Sequence, residues 1–177
     1  MQWWGWLIIV GVIVILSITI LVTIIMVSNK LIILKNSVDR TFPLMNSKIK
    51  QYCKVVQDLI LYAEHKLSKQ SKAILNLKKL KNECDKAEGT LAKAHKQHEL
   101  SEKTADYIKY IKGKKEFQKS RTLKALIIKL DDLNKEISQV IIKHNQCVDN
   151  YNKKRNKFPG NILSARFKLG ERTSWDL

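Results

Sequence analysis

Charge is missing from the start of this chain: no Asp, Glu, Lys or Arg occurs from Met1 to Asn29. Glycine and proline are scarce throughout, six and two in 177 residues. Strands need frequent turn residues and long helices exclude them, so this scarcity argues against a β-rich or loop-rich fold and makes helix the default. Only three cysteines occur, Cys53, Cys84 and Cys147, with no CxxC pair. An odd number excludes a fully paired disulfide framework and fits a reducing compartment or buried thiols. Acidic residues are few, 16 against 33 Lys+Arg, so the formal excess of +17 falls wholly between Lys30 and Leu177.

What fills the charge-free part is apolar. Trp3 to Val27 is interrupted only by Gly5, Gly11, Ser17, Thr19 and Thr23. At about 1.5 Å per residue such a helix crosses a hydrocarbon core of about 30 Å with some tilt. No cation precedes the run, and it is longer than the apolar core of a cleaved signal, so an anchor is expected. Trp3, Trp4 and Trp6 are placed to sit at one membrane interface, and Lys30 and Lys35 mark the other. The downstream cations favour an outside N-terminus and a cytoplasmic remainder. Gly5 and Gly11 lack the GxxxG spacing of a helix-dimer seam.

Beyond the anchor the apolar residues recur by threes and fours, the period of a helix with one buried face. Leu31, Leu34, Val38 and Phe42 carry the first helix out of the bilayer, and Pro43, with Thr41 as a cap, is expected to end or kink it. Met45, Ile49, Tyr52, Val56, Leu59 and Ala63 form a second stripe, continued by Ile74, Leu77 and Cys84 up to an interruption at Gly89-Thr90. Residues 91–119 show the least regular pattern, with one short apolar patch at Tyr107, Ile108 and Ile111 before Gly113. Leu123, Leu126, Leu130, Leu133, Ile137, Val140, His144, Cys147 and Tyr151 then make a long stripe. Ile127, Ile141 and Val148 widen it beyond a two-stranded coiled-coil seam, to the width of a bundle. Phe158-Pro159-Gly160 should stop that helix, and Asn161 should cap a short last one carrying Ile162, Leu163 and Phe167.

Two stretches carry a resemblance. "KNSVDRTF" supplies Asn36, Val38, Asp39 and Phe42, and "HNQCVDNYNKKRNKFPGNILSA" supplies Asn145, Val148, Tyr151, Asn152, Phe158, Pro159, Asn161 and Ala165. In this pattern the chain resembles the bacterial LemA family of single-pass membrane proteins. Their pattern is a short N-terminal anchor, an N-x-V-D helix and a late helix ending in YN-x-x-V-x-x-YN before FP-x-N. The departures are His144 for the first tyrosine, Phe42 for a tryptophan, Pro43 for a serine, and "QYCKVVQDLI" where the family has a run of arginines and IPNL. The resemblance implies a helical bundle held at a membrane and, from magnetosome-associated relatives, a part in organelle or envelope organisation; it supplies no reaction.

The residues themselves give Asn145, Val148, Tyr151 and Asn152 a structural reading. They follow one another by threes and fours, so rings and amides can meet across an inter-helix seam and fix its register. Lys153, Lys154, Arg155 and Lys157 read as a solvated helix end beside the negative pole of the dipole. His95 with His98, and His144 with Cys147, share helix faces but lack the further ligands of a zinc site, so no metal or other cofactor is expected. Asp131 and Asp132 are adjacent and diverge on a helix, so no catalytic residue is assigned. The cations suit anionic lipid head groups near Lys30, Lys35 and Arg40, or a protein partner. They are too scattered, and too poorly supplied with aromatic platforms, for nucleic acid.

The expectation is an all-α protein, an N-terminal transmembrane helix followed by an antiparallel bundle of long helices. The divisions are 1–29 for the anchor, 30–168 for the bundle and 169–177 for a C-terminal tail. It is expected to be a non-enzymatic, single-pass scaffold of the cell membrane, working as a homo-oligomer or with a membrane-protein partner. The competing class is a ligand-binding module or enzyme with its site inside the bundle.

Overall fold

The computed structural model describes residues 3–66, 72–114 and 120–175. Residues 115–119, which end the poorly patterned segment, and residues 176–177 of the tail lie outside the described residues. Six helices are formed, α1 (Trp3–Asp39), α2 (Thr41–Lys66), α3 (Lys72–Lys86), α4 (Thr90–Lys112), α5 (Arg121–Asn156) and α6 (Gly160–Arg166), with no strand among the described residues. They divide into two compact units, Met1–Asp39 with Asn145–Ser174, and Arg40–His144 with Trp175–Leu177.

The larger unit is a four-helix bundle of α2, α3, α4 and the part of α5 up to His144, and side-chain pairs read out its direction. Glu64 meets Lys78 and Cys53 meets Cys84, which sets α3 antiparallel to α2. Glu83 meets Lys96, which sets α4 antiparallel to α3. Thr41 meets His144 and Lys48 meets Glu136, which sets α5 antiparallel to α2. Up-down-up-down order follows from short connections between amphipathic helices.

The stripes foreseen in the sequence form this core. Met45, Ile49, Tyr52, Val56, Leu59 and Ala63 of α2 are buried against Ile74, Leu77 and Cys84 of α3 and Leu123, Leu130, Leu133, Ile137 and Val140 of α5. Burying each large aliphatic side chain contributes about 1.5–3 kcal/mol. Gly89 adopts φ 84° immediately before α4, a conformation that side chains with a β-carbon resist, so the interruption there is a glycine-dependent turn.

Two expectations change. The break after the first helix comes at Arg40, before Pro43, which sits in the first turn of α2, where its missing N–H would have had no helical partner. Residues 91–112 are regular helix. The buried face of α4 runs Ala94, Gln97, Leu100, Thr104, Tyr107 and Ile111, and its two polar members hide the period. Gln97 Nε2 donates to Asn134 Oδ1 at 2.9 Å, and the Thr104 hydroxyl donates to the Leu100 carbonyl at 2.7 Å, so both are satisfied inside.

The smaller unit gathers α1, the end of α5 from Asn145, α6 and the segment after it. Over Trp3–Ile24 α1 contributes no buried residue, whereas Val27, Leu31 and Val38 farther along are buried. These three continue the three-and-four face begun by Ile20 and Ile24. Helix α6 ends with Lys168 at φ 51° and a hydrogen bond from the Leu169 N–H to the Ser164 carbonyl at 2.9 Å, a left-handed stop that satisfies an end carbonyl.

Candidate functional site

The family-patterned residues near the end of α5 act on the segment that follows α6. Tyr151 is buried, and its hydroxyl donates to the Gly170 carbonyl at 2.9 Å. Asn152 Nδ2 donates to the Arg172 carbonyl at 2.7 Å, and its Oδ1 accepts from the Arg172 N–H at 3.2 Å. Arg155 Nε donates to the Leu169 carbonyl at 2.8 Å. One turn of helix thus clamps a backbone segment that has no regular secondary structure of its own. The expected seam between helices is replaced for Tyr151 and Asn152 by helix-to-backbone bonds, and Arg155 leaves the solvated cluster in which the sequence placed it.

The earlier motif joins the same unit. Val38 is buried, and Asp39 takes Lys35 Nζ at 3.1 Å and Arg172 at 2.9 Å. Asn36 is exposed, Asn145 half-buried and Val148 buried. Phe158 is 80% exposed. Asn161 does not cap α6: Pro159 precedes the helix without a side-chain bond, and Asn161 Oδ1 accepts from the N–H of its neighbour Ile162. Gly160 is buried where a β-carbon would collide with the Lys154 carbonyl, so only glycine lets α6 fold back on the end of α5.

Two clefts result. The first, about 420 Å³, lies between α1 and α6 and is lined by Thr19, Ile20, Thr23, Ile24, Phe158, Pro159, Ile162 and Leu163. The hydroxyls of Thr19 and Thr23 donate to carbonyls of their own helix, those of Ile15 and Thr19. They therefore add little polarity to the lining. The second, about 410 Å³, is lined by Lys30, Leu34, Asn150, Lys153, Lys154 and Lys157. None of these four lysines pairs with a carboxylate among the described residues. Residues 43–177 match the family model described as the LemA family. The chain belongs to the LemA family. This match contains the motif from Asn145 to Asn161 and begins beyond Asn36, Val38 and Asp39. No curated protein matches the chain.

At the other end of α1, Trp3, Trp4 and Trp6 are exposed, with the rings of Trp3 and Trp4 at 4.9 Å. Helix α1 is long and apolar enough to cross a membrane.

The remaining candidates stay apart. His95 and His98 are exposed on α4, and His98 faces Glu102 at 3.8 Å. No three of His, Cys, Asp and Glu gather as metal ligands among the described residues. In the bundle unit His144 Nδ1 meets the Thr41 hydroxyl at 2.7 Å. The His144 ring stacks on Trp175 at 3.7 Å, and Phe42 meets both rings edge-on. Trp175 is 4% exposed; nothing in the sequence pattern had marked it. Cys53 and Cys84 are buried with sulfurs 3.5 Å apart. The hydrogen bond it donates to Cys84, and then burial, hold the Cys53 thiol above the ordinary range.

Proposed function

We propose that this LemA-family protein is a membrane-anchored scaffold with no reaction of its own, organising partners or copies of itself at the bilayer. The observation that carries the reading is the surface of α1. Its membrane-length window is wholly unburied, and an apolar helix of that length left uncovered has lipid as its natural solvent. The bundle unit then supplies four amphipathic helices whose outer faces are charged and open to partners, Lys48–Glu136 and Lys96–Glu83 among them. Lys30, Lys35 and Arg40 follow the apolar run closely, which favours a cytoplasmic bundle.

Chemical cross-linking of the full-length protein in native membranes tests the scaffold. Discrete adducts, either of two or more copies or with a recurring membrane partner, are expected. A protein that stays uncross-linked at every reagent length contradicts it. Protease added to intact cells tests the orientation: the bundle should be spared until the membrane is opened.

A further inference from the structure

We propose that the two clefts of the anchor unit form one site for an anionic phospholipid. Its phosphate lies among Lys30, Lys153, Lys154 and Lys157, and an acyl chain lies in the notch between α1 and α6. The inference rests on the insertion of α1 in the bilayer and adds to it a specific ligand.

The change from apolar to cationic lining occurs at the same level on both sides. On α1 the notch ends at Ile24 and the cationic cleft begins at Lys30, about 9 Å farther at 1.5 Å per residue. On the opposite wall Lys157 lines the cationic cleft and its neighbour Phe158 lines the notch. Packing alone requires no such agreement, whereas a lipid crosses from acyl chain to phosphate over about this distance.

The wall of the notch is also dressed for lipid. Phe158 and Ile162, which line it, are exposed by 80% and 59%, and Phe167, just past α6, by 58%. In water they would form an unexplained apolar patch. With Lys30 at head-group level, Ile24 and Thr19 lie about 9 Å and about 16 Å farther along α1 at 1.5 Å per residue, so α6, which lines the notch beside them, faces the acyl region. The backbone there is self-satisfied, because Asn161 N–H donates to Lys157 O and Leu163 N–H to Pro159 O, as a lipid-facing turn requires.

The cationic cleft lacks its counter-charge. Lys30, Lys153, Lys154 and Lys157 all line it, and none pairs with a carboxylate among the described residues. Asp149 is exposed on α5 next to Asn150, but does not line the cleft. A phosphate diester relieves the repulsion, and a zwitterionic choline head group brings a competing cation.

The test is native mass spectrometry of the full-length protein released from detergent containing equal amounts of phosphatidylglycerol and phosphatidylcholine. One phosphatidylglycerol should be retained in preference. Retention should fall about fivefold for each lysine neutralised in the series Lys153→Gln, Lys154→Gln and Lys157→Gln. The exposed Ile162→Asn should weaken retention of both lipids, and circular dichroism should show every variant as helical as the parent. Equal retention of the two lipids, or an unchanged preference in the triple variant, overturns the proposal. So does displacement of the lipid by inorganic phosphate with no effect of Ile162→Asn, which would mark a free-phosphate site. Alkaline carbonate extraction of the parent separates the failures. Release from the membrane defeats the anchor, whereas firm retention without lipid preference defeats only the lipid site.

Discussion

Asn152 exchanges two hydrogen bonds with the main chain of Arg172, giving one to its carbonyl at 2.7 Å and taking one from its N–H at 3.2 Å. A carboxamide presents a donor and an acceptor side by side, the pair that a peptide C=O and N–H require. Asn152→Ala should therefore lose both bonds together and cost about 1–3 kcal/mol. Hydrogen exchange at the Arg172 amide should accelerate more than exchange within α2. Unchanged protection at Arg172 would count against the clamp.

Gly160 has no room for a side chain. A β-carbon would meet the Lys154 carbonyl, which belongs to helix backbone and cannot yield as a flexible side chain does. Gly160→Ala should destabilise the anchor unit by about 1–3 kcal/mol, as other overpacked sites do. Gly170, with open space around it, should accept alanine far more readily. Thermal unfolding of the two variants in detergent makes the comparison.

Trp175 lies buried with its ring stacked on His144 at 3.7 Å and Phe42 at its edge. Trp175→Ala should cost about 3 kcal/mol through the cavity it leaves, and Trp175→Phe should recover part of that loss. Tryptophan fluorescence in the single-tryptophan background Trp3→Phe, Trp4→Phe, Trp6→Phe should be blue-shifted when folded and red-shifted after denaturation. Emission already at the solvent-exposed wavelength in the folded protein would contradict the packing.

Tyr52 and Tyr107 separate two kinds of buried hydroxyl. The Tyr52 hydroxyl has the polar side chains of Thr104, Asn134 and Ser101 to favour its ionised form, but burial outweighs them and pushes its phenol up to about 12. The Tyr107 hydroxyl has no hydrogen-bond partner among the described residues, and burial likewise pushes it up to about 12. Tyr52→Phe should cost about 1 kcal/mol, and Tyr107→Phe should be neutral or stabilising. Both phenols keep their protons in the fold at pH values where the unfolded chain releases them above about 10. The native state then binds more protons, so stability should fall as pH rises from about 10 towards 12 and be untouched by these groups below 10. Urea midpoints measured at pH ~9 and ~11 check the slope, which each Phe substitution should flatten.

The bundle was legible wherever its faces are purely apolar. Met45 to Ala63 and Leu123 to Val140 repeat by threes and fours, and those positions are the core. The face of α4 was not legible, because Gln97 and Thr104 occupy core positions and are satisfied by Asn134 and the Leu100 carbonyl. The clamp was half legible. Tyr151 and Asn152 stood out as polar residues needing partners, but their partners are carbonyls and an amide of Gly170 and Arg172. Backbone groups look the same in every sequence. The cationic cleft was invisible for another reason: Lys30 and Lys157 are far apart in the chain, and only the fold of the anchor unit brings them to one cleft.

The central claim is that α1 is lodged in lipid and holds the rest of the chain at the membrane. Alkaline carbonate extraction of membranes carrying the full-length protein tests it most directly, because high pH strips peripheral proteins and leaves spanning helices in place. The protein should remain in the membrane pellet; its recovery in the soluble fraction would contradict the account.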